Sequence, residues 1–84
     1  MYDLISFLSR SKNRKIVLEN LEKPNTPTEL ASKLKIQRST ISRAILELID
    51  KKLVKCLTPK EKMGRLYQTS DLGKKILKEM KNEY

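Results

Sequence analysis

Histidine is absent from this 84-residue sequence, and there is one cysteine, Cys56. Structural zinc sites of the Cys/His kind, His-based catalytic triads and histidine general bases are thereby excluded. A single cysteine cannot close an internal disulfide, which fits a reducing compartment and a cytoplasmic location. No apolar run approaches the roughly 18 residues that a spanning helix needs, so no membrane partner is expected. The first residues, Met1 to Leu8, lack the basic start and long apolar stretch of a signal peptide. Glycine is scarce too, and there is no Gly-rich phosphate loop. With no metal-ligand cluster and no nucleophile–base pairing at useful spacing, the chain is not expected to be an enzyme or to need a cofactor.

What the chain has in excess is positive charge. There are 19 Lys+Arg against 10 Asp+Glu, a formal net charge of +9. Such a field favours a polyanionic partner, or else simply keeps the chain soluble. Position helps to decide. Residues 23–57 hold eight bases against three acids, a net +5, and between Lys33 and Arg43 there are four bases and no acid. At 38% hydrophobic and 35% charged, the chain is too rich in Leu, Ile and Val to be disordered. It is long enough for one domain, 1–84, with a small core.

The hydrophobic spacing divides the chain. Leu4, Ile5, Phe7 and Leu8 suggest a short amphipathic helix over 1–10. Ser11 is placed to cap a second helix, Lys12 to Leu21, with Ile16, Val17 and Leu21 inward and Leu18 nearby. Pro24 ends it. Thr26-Pro27-Thr28-Glu29 predicts a capping box, with proline at the first helical position, and Leu30, Ala31 and Leu34 line that helix's inner face. A longer helix follows over about Arg38 to Lys52, with Ile41, Ala44, Ile45, Leu48 and Ile49 inward. Two short helices joined by a tight turn make a helix-turn-helix pattern. Then the period changes to two. Leu53–Thr58 and Arg65–Thr69 read as strands of a hairpin with a basic tip, around Pro59 and Gly64. Ser70-Asp71 caps a last helix, with Leu72, Ile76, Leu77 and Met80 inward. The predicted class is α+β and mostly helical.

In this order the elements resemble a known family. Arg14–Leu18, Thr28–Leu34, Ile36–Arg43, the run Leu48–Val54, Gly64–Tyr67 and Ser70–Leu77 are similar to the winged helix-turn-helix transcriptional regulators of the bacterial and archaeal MarR/ArsR-like kind. The likeness covers a core of about residues 12–80 and implies a two-stranded wing with flanking N- and C-terminal helices. Two departures stand out. Lys35 and Lys52 occupy turns where such proteins often carry glycine, so a left-handed backbone is expected there on non-glycine residues. Gln37 stands where the family often has a capping serine.

The resemblance implies double-stranded DNA as partner, with the helix from about 38 to 52 in the major groove and the wing, 59–65, on the backbone or in the minor groove. DNA contacts are then expected from Gln37, Arg38, Ser39, Thr40, Ser42 and Arg43, the arginines suiting guanine and the glutamine adenine, with serine and threonine adaptable or bonding phosphate. Alternatively, Thr40 and Ser42 only solvate the helix. Thr28 and Lys33 are placed for phosphate, as is the helix N-terminus at Thr26–Thr28. Lys60, Lys62 and Arg65 form the wing set; alternatively they only protect an exposed hairpin edge. Leu4, Ile5, Phe7, Leu8, Leu77, Met80 and Tyr84 are candidates for a homodimer interface, or else cap the core within one chain.

Cys56 reads as a small buried residue rather than a thiol sensor. The rival functions are a winged-helix protein-interaction module of the transcription machinery, and a non-specific nucleoid or RNA-binding protein. Arginines at the start of the third core helix favour base reading by a nucleoid-associated cytoplasmic regulator.

Overall fold

The computed structural model describes residues 2–82. Five helices and a two-stranded antiparallel sheet follow one another as α1 (Tyr2–Ser9), α2 (Lys12–Asn20), α3 (Pro27–Leu34), α4 (Arg38–Asp50), β1 (Val54–Cys56), β2 (Tyr67–Thr69) and α5 (Asp71–Asn82). None of the helices among the described residues is long and apolar enough to cross a membrane.

Helices α2, α3 and α5 begin where a side chain can replace the missing backbone partner. The Ser11 hydroxyl accepts from Arg14 N–H at 3.3 Å, and Thr26 Oγ1 accepts from Glu29 N–H at 3.2 Å. The expected capping box is only half formed: the Thr26 N–H donates to Asn25 Oδ1 at 2.8 Å. Asn25 is held in turn by two backbone bonds with Tyr67, which add an isolated bridge beside β2. Gln37 starts α4 with no side-chain cap bond.

Helices α3 and α4 end alike. Lys35 lies at φ 57° and Lys52 at φ 63°, both left-handed. After α3, the Ile36 N–H reaches back to the Ala31 carbonyl at 3.1 Å. After α4, Leu53 N–H bonds the Leu48 carbonyl at 2.9 Å and Lys52 N–H the Ile49 carbonyl at 2.8 Å. These are Schellman-type stops, which normally favour glycine, with lysine at the strained position. The expectation for both positions holds.

The core forms where the helices cross. Val17, Leu18 and Leu21 of α2 and its end meet Ile41, Ala44, Ile45 and Leu48 of α4, with Leu30 of α3 and Leu8 of α1 alongside. Ile76, Leu77 and Met80 of α5 close the other side. Two inward assignments change. Ile16 and Leu72 are among the exposed large hydrophobics; the stripe on α2 runs through 17, 18 and 21, and on α5 through 73, 76, 77 and 80. One residue is about 100° of helix, so a single-position error moves a side chain from core to surface.

The strands are shorter than the alternation predicts. Val54 pairs with Thr69, Lys55 with Gln68 and Cys56 with Tyr67. Leu53 drops out because its N–H closes α4. Beyond Cys56 the chain bends into the wing, although Leu57 N–H still donates to the Leu66 carbonyl at 2.8 Å.

The segment 69–73 ties these layers together. The buried Thr69 hydroxyl donates to the Leu18 carbonyl at 2.7 Å, and its N–H to the Leu21 carbonyl at 2.7 Å. Ser70 N–H donates to the Leu53 carbonyl at 2.9 Å, and its hydroxyl to the Lys52 carbonyl at 2.7 Å. The same hydroxyl accepts from Gly73 N–H at 3.1 Å and so caps α5. A methyl at Gly73 would strike the Leu53 carbonyl and lie 2.6 Å from Thr69 Cγ2. Glycine is therefore required by close approach rather than by torsion angle.

Two variants test this account by urea unfolding. Gly73→Ala is expected to lower stability by about 2–3 kcal/mol through overpacking against backbone. Lys52→Gly should raise it by about 1 kcal/mol by relieving the left-handed strain.

Candidate nucleic-acid interface

Helix α4 carries two distinct exposed tracks. Arg38 and Ser42 are four residues apart and line a cleft that faces the wing, while Ser39 and Arg43, also four apart, lie about 100° further round. Ile41 and Ile45 are buried and cannot reach a partner. Ser42 and Thr40 are half-buried, and Thr40 sits about 200° from Arg38, on the side away from the wing. Gln37 is exposed at the helix start, free of any capping bond.

The cleft has a volume of about 470 Å³ and is shared by three elements. Pro27 and Thr28 come from the start of α3, Arg38 and Ser42 from α4, and Lys62, Met63, Gly64 and Arg65 from the wing, with Tyr67 at the base. Five residues singled out in the sequence thus meet in one place: Thr28, Arg38, Ser42, Lys62 and Arg65. Three of them are basic, and no acid lines the cleft. Lys33 is exposed but lies five residues beyond Thr28, about 140° round α3, and does not join the cleft. Lys60 is exposed on the wing outside it.

The wing is held in shape by its own polar groups. The Thr58 hydroxyl accepts from Leu66 N–H at 2.9 Å, and the Thr58 carbonyl accepts from Glu61 N–H at 3.1 Å. Arg65 Nε donates to the Glu61 carbonyl at 2.5 Å. Gly64 takes φ 66°, the left-handed conformation that lets the turn close. Arg65 is therefore both a brace and a surface charge, a double role its sequence position does not reveal. Met63, 87% exposed, was not anticipated as part of the site. Its signal was present in the sequence, an apolar residue between Lys62 and Gly64 at the turn.

The platform under α4 is pinned by Arg14, also unforeseen. Its guanidinium pairs with Glu47 of α4 at 2.5 Å and donates to the Phe7 carbonyl of α1 at 3.0 Å. It also stacks 4.0 Å from the centre of the Phe7 ring, which Lys51 approaches from 5.8 Å. One side chain thus joins α1, α2 and α4.

The residues assigned to a homodimer contact fare differently. Leu8, Leu77 and Met80 are buried within the single chain, which removes most of their surface from any interface. Leu4, Ile5 and Phe7 pack against the core and stay half-buried. Tyr84 lies outside the described residues. Cys56 is a free, half-buried thiol rather than a fully buried one. Among the described residues, no group of three or more His, Cys, Asp or Glu side chains could hold a metal ion.

A helix-turn-helix followed by a braced two-stranded wing defines a winged helix of the MarR-like regulator type. The family described as the HVO_A0261 N-terminal domain matches residues 2–83, and the chain belongs to it. No curated protein matches it in sequence. Among solved structures, the chain is similar to the Multiple Antibiotic Resistance Repressor, MarR, at 26% identity and TM-score 0.70, covering 92% of this chain and 61% of that one. It is similar to a MarR family transcription regulator at 23% identity and TM-score 0.70, over 84% of this chain and 48% of that one. The ST1889 protein of the thermoacidophilic archaeon Sulfolobus tokodaii matches at 27% identity and TM-score 0.63, over 86% and 70%. The chain thus spans about half the length of that MarR family regulator.

The uncapped start of α4 makes a separable prediction. Gln37→Ser should raise stability by about 1 kcal/mol by supplying the missing cap. If Gln37 contacts a base, the same change should weaken binding to duplex DNA, so unfolding and affinity should move in opposite directions.

Proposed function

We propose that the chain is a sequence-specific, double-stranded-DNA-binding transcriptional regulator. The observation that carries this reading is the basic cleft in which Thr28, Arg38, Ser42, Lys62 and Arg65 converge from three elements. Two of the similar structures are by name a transcription regulator and a repressor, which supports the same reading.

In this account α4 enters the major groove by its N-terminal half. Arg38 and Arg43 approach base edges from the two exposed tracks of the helix, where guanine offers two acceptors to an arginine. Gln37 and Ser39 add adaptable contacts at the helix start. Thr28 and Ser42 bond phosphate, and Lys33 and Thr40 stand at the margins of the footprint. The wing reaches the flanking minor groove or the backbone with Lys60, Lys62 and Arg65. Binding of this kind releases counterions and falls steeply with added salt. The functional unit is a cytoplasmic homodimer on a two-fold site, with Leu4, Ile5 and Phe7 as the remaining apolar surface of its proposed contact.

Selection from a random duplex library at about physiological salt tests the proposal, because non-specific binding is weak there. Enrichment of a palindrome with half-sites one helical turn apart is the expected result. Retention without enrichment would leave a non-specific binder, and no retention would overturn the DNA reading. On the enriched site, Arg38→Ala should relax the preference at one base pair, at a cost of about 1–3 kcal/mol on the cognate sequence. Lys62→Ala should weaken all sequences alike and flatten the salt slope by about one. Equal losses on every sequence for both variants would remove base reading from Arg38.

A further inference from the structure

The wing tip places a large apolar side chain where a charged or polar one would be better solvated. Met63 is 87% exposed, the most exposed of the large hydrophobic residues described. It makes no contribution to the hydrophobic core. It nonetheless lines the cleft that also contains Arg38 and Ser42 of α4, with Lys62 before it and Gly64 and Arg65 after it.

The turn beneath it is hydrogen-bonded within itself. The Arg65 Nε bond to Glu61, the two Thr58 bonds and the left-handed turn at Gly64 all lie within the nine residues 58–66 around Met63. A braced tip of this kind can transmit force to whatever it meets, whereas a mobile one yields. The Glu61 carbonyl is already bonded to Arg65, so the turn's polar groups are partly satisfied before any partner arrives. The flanking Lys62 and Arg65 supply attraction to phosphates on either side of an apolar point. Methionine is unbranched and polarizable, which suits insertion into an irregular gap.

We propose that Met63 is a minor-groove wedge: on docking, its thioether side chain enters between two base pairs, partly unstacks that step, and bends the duplex toward the major groove. The inference rests on the DNA-binding reading above and adds a mechanical consequence to it. Apolar wedges of this type kink DNA because unstacking is offset by the protein surface that the bent duplex can then touch. The step that gives way most easily is a pyrimidine–purine step, TA or CA/TG. Met63 therefore selects sequence through deformability, at a position where the chain makes no hydrogen bond to a base edge.

The test uses the full chain and a duplex recovered by selection, about 30 base pairs long, with a donor and an acceptor dye on its two ends. If selection retains duplexes without enriching one, an A·T-rich member of the retained pool with a TA step serves instead. A second copy carries 2-aminopurine at the step nearest the wing, whose fluorescence rises on unstacking. The wild-type chain should bend the duplex by about 20° or more and raise the fluorescence. Met63→Gln keeps the length of the side chain and removes its apolar character. It should lose both signals and bind about tenfold more weakly, equal to roughly 1.4 kcal/mol. Met63→Leu should retain both. At so exposed a position neither change should alter the circular dichroism or the unfolding midpoint. Wild-type binding without bending, or equal bending by wild type and Met63→Gln, overturns the wedge while leaving the regulator reading intact. Failure of the wild-type chain to hold any duplex overturns both.

Discussion

The arrangement of this small domain depends on one polar clasp. Thr69, Ser70 and Gly73 bond to carbonyls or hydroxyls that belong to the end of α2, the turn after α4, and α5 itself. Three segments, the end of α2, the turn after α4 and the start of α5, are tied within residues 69–73. A buried hydroxyl bonded to a backbone carbonyl is costly to break, because its loss leaves the carbonyl orphaned in a dry interior. The wing begins and ends at this clasp: β1 leaves from Leu53 and β2 returns to Thr69. The distance between the wing and α4 is therefore set here, well away from the cleft they jointly form.

Arg14 plays the matching part on the opposite side of α4. Its charge is divided between Glu47, the Phe7 carbonyl and the Phe7 ring, so the helix is held laterally as well as at its end. Isolated surface ion pairs contribute little, but this one is partly buried and combined with a second hydrogen bond and a stacked ring. Arg14 thus links the face of α4 that carries Glu47 to α1 and α2, opposite the exposed track of Arg38.

Much of this was legible in order and spacing. The caps at Ser11, Thr26 and Ser70 are local signals and appear where local chemistry puts them. The left-handed lysines followed from the family resemblance, and the switch to alternating period comes one residue later than Leu53, whose N–H closes α4. The reading was poorer where side chains act across the fold. Ile16 and Leu72 were placed inward because they are apolar, yet each lies one residue off its helix's buried stripe. Leu8 counts as surplus to a minimal core in the sequence, yet it is buried in the same cluster as Leu77 and Met80, because α1 and α5 close on one another. Arg14 gave no sign of its three partners, since Glu47 is 33 residues away. The cleft itself was foreseen as a list of bases, but its convergence depends on the wing's fold-back, which the alternation of 53–58 and 65–69 overestimated in length.

The lysines at 35 and 52 have a consequence for the lifetime of the chain. A left-handed torsion on a residue with a Cβ costs about 1–2 kcal/mol, and a domain of this size has only about 5–10 kcal/mol of stability in total. Strain at two helix ends thus takes a sizeable share of the margin. Any partner that engages the folded chain in preference to the open one, as the proposed duplex would, returns that margin by mass action. Proteases act on the open form, so the occupied molecules should be degraded more slowly than the idle ones. Abundance would then follow occupancy: the same strain that weakens the free domain would let the amount of partner present regulate how much of the protein persists.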